Sequence, residues 1–73
     1  MDTNTIRTRI TTQGWSLREI PITRAIPDTK ERRIIQYKII AFRGEKSLEV
    51  AGPTLDEAMK NIGKTLGVIP RQG

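Results

Sequence analysis

The chain has 73 residues, with thirteen Lys or Arg against eight Asp or Glu (net charge +5) and neither cysteine nor histidine. That length fits one small domain, residues 1–73, near the lower size at which a single core holds a fold together. The missing residue types exclude disulfides and thiolate metal sites, and remove the commonest metal ligand and the usual general base.

No apolar run approaches the roughly 18 residues needed to span a bilayer. The start, Met1-Asp2-Thr3-Asn4-Thr5, lacks the basic-then-apolar pattern of a secretory signal. A cytoplasmic location is therefore expected, with no metal, no cofactor and no membrane partner. Nothing staples the chain, so formation of a homo-oligomer is an available way to bury more apolar surface.

In chain order, residues 1–5 are polar and expected to fray. Ile6 to Thr12 alternates isoleucine, arginine and threonine and reads as an optional fourth strand with two large apolar residues. Gln13-Gly14 reads as a turn. Trp15 to Ile26 is an extended segment whose apolar residues change parity, with Trp15 and Leu17 on one face and Ile20, Ile22 and Ile26 on the other. A bulge near Glu19-Ile20 would reconcile the two sets, and Pro21 points to an edge strand. Pro27 to Arg32 is polar and reads as an exposed loop or wide hairpin connection.

The run Ile34 to Phe42 is dense in β-branched and aromatic residues, as a strand requires. Gly44-Glu45 suits the centre of a tight turn with glycine at the position of positive φ. That turn pairs Arg43 with Lys46, Phe42 with Ser47, Ala41 with Leu48, Ile40 with Glu49 and Ile39 with Val50. After Gly52-Pro53, Thr54 caps a helix, with Glu57 three residues on as in a capping box. Leu55, Ala58, Met59, Ile62 and Leu66 recur at spacings of 3 and 4 and form one apolar stripe. Gly67 suits the C-terminal cap and Pro70 forbids continuation. Gly63 inside the helix implies a close approach to the sheet or to a second helix. Residues 70–73 are a polar tail expected to fray.

The fold expected is α+β: an antiparallel three- to four-stranded meander with one C-terminal helix packed across one face. The expected core is Trp15 or Leu17, Ile35, Tyr37, Ile39, Ala41, Leu48, Val50, Leu55, Ala58, Met59, Ile62 and Leu66.

No residues combine into a catalytic set. Asp56 and Glu57 already serve the helix start, and Glu45 and Glu49 come with no nucleophile, base or metal-ligand spacing. Gly63-Lys64-Thr65 lacks the upstream glycine of a phosphate loop. The chain is thus expected not to be an enzyme.

Charge is distributed unevenly. Residues 1–43 hold nine bases against four acids, while residues 44–73 are neutral, so the whole surplus lies in the first part and is mostly arginine. Arginine's planar fork of donors suits phosphate or carboxylate, so a nucleic acid or an acidic protein surface is the partner implied. Arg7, Arg9, Arg18, Lys38 and Arg43 are the expected phosphate contacts. Arg32-Arg33 is expected to be solvated. Ile34, Ile40 and Phe42 lie on the parity that one helix cannot cover, so either the N-terminal segment with Ile6 and Ile10 folds over them or a partner does.

The order extended segment, hairpin and capped helix, from Trp15 to Val68, resembles the meander-plus-helix part of double-stranded-RNA-binding domains. Two departures stand out. Ile6 to Thr12 has no helical stripe where that family has its first helix, and Thr54-Leu55-Asp56-Glu57 replaces the basic cluster that the family places at the start of its last helix. The junction Gly52-Pro53-Thr54-Leu55-Asp56-Glu57-Ala58 also resembles HicB-like antitoxin domains. These residues are those of any strand-to-helix junction with a capping box, so no function is carried over from either family. The expected function is a small basic nucleic-acid-binding module acting through an arginine-rich sheet surface. The alternative is a protein-interaction or self-assembling module using the apolar sheet face around Ile34, Ile40 and Phe42.

Overall fold

The computed structural model describes residues 2–69, so Met1 and the tail 70–73 lie outside the described residues. The elements run α1 (Thr3–Thr12), β1 (Ser16–Ala25), β2 (Arg32–Arg43), β3 (Lys46–Gly52) and α2 (Leu55–Leu66). The fold is α+β, with one antiparallel sheet in the order β1-β2-β3. Both helices pack together on one side of it, around Ile6, Ile10, Trp15, Ile39, Ala41, Ala58, Met59, Ile62 and Val68.

The N-terminal segment is a helix rather than a fourth strand, and Asp2 to Thr5 make its first turn instead of fraying. Asp2 is the cap: its Oδ1 accepts from the Thr5 N–H at 2.7 Å. Threonine, a weak helix former, is accommodated because Thr8, Thr11 and Thr12 donate their hydroxyls to carbonyls of the preceding turn. Ile6 and Ile10, spaced by four, share a face in a strand and in a helix alike, so their pattern does not separate the two. What distinguishes them is the surface on offer. Both are fully buried on the helix side of the sheet. They therefore do not cover Ile40 and Phe42.

Gly63 is where the two helices meet. A Cβ there would lie 3.0 Å from Ile6 Cγ2 and 2.7 Å from Ile69 Cδ1. The close approach to a second helix that its presence implies is thus made by α1. At the other end of α2, Thr54 Oγ1 accepts from the Glu57 N–H at 3.1 Å, and Gly67 closes the helix in the left-handed region.

The β2–β3 register is the one the turn and the apolar pattern imply, from Arg43 opposite Lys46 to Ile39 opposite Val50, with Gly44 at φ 60°. β1 is an edge strand, as Pro21 requires. The register shift lies between Ile22 and Thr23, not near Glu19-Ile20. No shift is needed earlier, because the two parities of β1 serve the two faces: Leu17 packs beneath the helices, while Ile20 and Ile22 lie on the open face. The extra residue at the bulge is Ile35, which is 42% exposed and so stands outside the core, contrary to expectation.

β3 ends at Gly52, opposite Tyr37, so residues 32–36 of β2 pair with β1 alone. Beyond the three-stranded body the hairpin continues as a two-stranded ribbon, about 15 Å of strand before its turn. The molecule is correspondingly elongated. Its radius of gyration is 14.0 Å, against about 11 Å for a compact chain of this length.

Candidate nucleic-acid interface

The five basic residues expected from the sequence do not assemble into one surface. Arg7 lies on α1 and forks onto Glu19 of β1, with Nε 3.1 Å from Oε2 and Nη2 2.6 Å from Oε1, while Nη1 donates to Asn4 Oδ1 at 2.7 Å. This bidentate pair ties α1 to the sheet edge and occupies the guanidinium. Arg9 is exposed on the same helix. Arg18 and Lys38 belong to the opposite, open face of the sheet, where Lys38 Nζ meets Glu49 Oε1 at 2.8 Å. Arg43 lies over the Trp15 ring, 4.8 Å from its centroid, and donates to the Gln13 carbonyl. Three of the five are therefore held internally. Arg9 and Arg18, the two of the five with neither an ion pair nor a side-chain hydrogen bond among the described residues, sit on different layers.

The start of α2 is acidic and engaged. Asp56 accepts from Thr3 Oγ1 at 2.9 Å and pairs with Lys60 Nζ at 3.1 Å. The Thr3 hydroxyl, followed by Lys60, holds the Asp56 carboxyl below the usual carboxylate range, and Lys60 is raised by the same bond. Asp2 is lowered by its bond to the Thr5 backbone. Among the described residues no three His, Cys, Asp or Glu side chains gather as a metal site, and no helix is long and apolar enough to cross a membrane.

The concentration of charge is on the ribbon. Arg24 faces Arg33 directly across the two strands, Arg32 follows opposite Ala25, and Lys30 lies in the turn. Arg24 and Arg33 border one shallow cleft of about 520 Å³, whose apolar wall includes Ile26, Ile35 and Pro53. Neither forms an ion pair or a side-chain hydrogen bond among the described residues, and Arg32 Nε donates only to the Thr23 hydroxyl at 2.9 Å. Like charges directly opposite on adjacent strands oppose folding.

The turn that presents these bases is well held. Four hydrogen bonds among Ile26, Thr29 and Glu31 close it, and Asp28 adopts φ 63°. Its acids, Asp28 and Glu31, leave the arm from Thr23 to Ile35 with four bases against two acids.

Arg32-Arg33 reads as solvated from the sequence because its neighbours read as a loop; in the fold both residues belong to β2. The signal that could find the arm is the pairing of Arg24 with Arg33, which requires the turn at 26–31 and the bulge at Ile22/Thr23 together. On the open face, the rows Ser16–Phe42–Ser47 and Arg18–Ile40–Glu49 cross the three strands. Phe42 is 43% exposed there. Ile34, expected on the same face, is not on it: the bulge sets it opposite Thr23, on the parity of Leu17, where it is 47% exposed beyond the reach of the helices. The chain matches no protein-family model, no curated protein and no solved structure.

Proposed function

We propose that this chain is a small non-enzymatic module that binds nucleic acid through the basic arm formed by β1 and β2. The observation that carries this reading is the Arg24–Arg33 pair. Two arginines stand opposite each other on neighbouring strands with no acid bonded to either among the described residues, an arrangement that costs stability and that a phosphate would relieve. The presence of α1 removes one of the two departures from double-stranded-RNA-binding domains. The other stands, since Asp56 and Glu57 occupy the helix start where that family grips phosphate. Titrating labelled duplex and single-stranded oligonucleotides at two salt concentrations tests the proposal. Binding that weakens steeply with salt is expected; no binding at low salt overturns it.

The open sheet face supports a second reading, docking of a protein partner over Ile40 and Phe42, because neither helix covers them. Three strands of about seven residues offer roughly 15 Å by 25 Å. That is well short of the roughly 800 Å² per partner of a stable interface. Self-association through this face alone is therefore expected to be weak, and the nucleic-acid reading is the stronger. Light scattering over a concentration series separates them, since apolar association is nearly insensitive to moderate salt.

A further inference from the structure

The shape of the arm restricts which nucleic acid it fits. We infer that the ligand is B-form duplex DNA, entered through its major groove by the β1–β2 ribbon; this rests on the nucleic-acid reading above. Two paired strands about 4.8 Å apart, with side chains on both faces, make a ribbon roughly 10 Å thick. A major groove about 12 Å wide admits such a ribbon, whereas a minor groove about 6 Å wide does not. The major groove of A-form RNA is too narrow for side chains to read. The arm also has the reach. Arg24 and Arg33 stand one residue pair behind Ala25–Arg32, which closes onto the six-residue turn Ile26 to Glu31. This sets them roughly 10 Å from the apex, close to the groove depth of about 8.5 Å.

With the turn at the groove floor, Lys30 lies beside base edges, while Arg24, Arg33 and Arg32, whose Nε turns back onto Thr23, lie toward the rim, where the phosphates run. The acids of the turn, Asp28 and Glu31, disfavour laying the tip along the phosphate wall and favour pointing it inward, where cytosine and adenine amino groups can donate to them. The bulge at Ile22/Thr23 adds local twist, which lets a ribbon follow a helical groove.

The test is fluorescence anisotropy with the intact chain and four probes of one sequence. They are a DNA duplex, the matching RNA duplex, the single DNA strand, and a DNA duplex whose cytosines carry bulky glucosyl groups in the major groove. The plain DNA duplex is expected to bind at least tenfold tighter than each of the other three. Distamycin, which fills the minor groove, should leave the affinity for the plain duplex within about twofold. R24Q/R33Q should lower the salt slope by about 1.8, at about 0.9 for each phosphate no longer neutralised, with a melting temperature near that of the parent. Equal affinity for the RNA duplex, the single strand or the glucosylated duplex, or competition by distamycin, overturns the major-groove inference while leaving nucleic-acid binding intact. Failure to bind any probe at low salt overturns the underlying reading itself.

Discussion

The two ends of the β1–β2 hairpin are built to different rules. At the root, Leu17, Ile39 and Ala41 pack beneath two helices. Toward the turn the same strands carry no helix above them, expose Ile34 and Ile35, and set Arg24 against Arg33. The root is what a folding sequence needs. The tip presents exposed apolar and like-charged surface that folding would avoid. A segment closed by four turn hydrogen bonds into an arrangement that folding alone does not favour is where a ligand is to be sought.

The largest effects are expected at the root. Ile39→Ala, or Ile62→Ala in the helix that covers it, removes a fully buried side chain and should cost about 2–5 kcal/mol. In so small a domain that loss approaches global unfolding, and thermal or urea denaturation reads it directly. A variant melting within a degree or two of the parent would mean that the core is not as described.

Next in size is Gly52→Ala. A Cβ there would meet the Ala58 backbone nitrogen at 2.7 Å, and backbone cannot rotate away. Overpacking of about 1–3 kcal/mol is expected. Gly63→Ala should cost less, because its nearest neighbour is the end of the Ile69 side chain and alanine recovers about 1 kcal/mol of helix propensity.

Arg7→Gln separates held charge from free charge. Its pair with Glu19 is about one-third exposed, so a loss of roughly 0.2–1 kcal/mol is expected. R24Q/R33Q should instead leave stability within about 0.5 kcal/mol, or raise it, because a like-charge contact disappears. A large destabilisation by R24Q/R33Q would make the arm a structural element and not a presented one.

The smallest effect is on pH dependence at the α1–α2 junction. Asp2 and Asp56 both titrate lower in the folded chain than unfolded, so the unfolded state binds more protons as the medium is acidified. Their contribution is complete above the usual carboxylate range and is lost as pH falls through it and below. The melting temperature should drop between about pH 5 and about pH 3. Asp56→Asn should lessen that drop.

Legibility in the sequence follows the same division. β2, β3 and α2 are readable because strand chemistry, the Gly44 turn, the Thr54 cap and the apolar stripe agree with one another. α1 is not, since a spacing of four between Ile6 and Ile10 suits both periods, and only the stripe of α2 with Gly63 beneath it makes the helix the better choice. The place of the bulge is hidden because parity alone cannot tell a strand that shifts from one with apolar residues on both sides. Charge and parity select phosphate contacts without knowledge of the acids that folding brings close. Glu19 occupies Arg7 and Glu49 occupies Lys38. The arm depends on a long pairing whose ends lie in a segment that reads as loop.

The most direct test is the salt dependence of duplex DNA binding, measured by anisotropy for the parent, R24Q/R33Q and the internally paired control R7Q. With the arm as the contact surface, R24Q/R33Q should flatten the log–log slope by about 1.8, while R7Q leaves it unchanged. Equal slopes for the parent and R24Q/R33Q, or flattening by R7Q alone, would contradict the assignment of the arm.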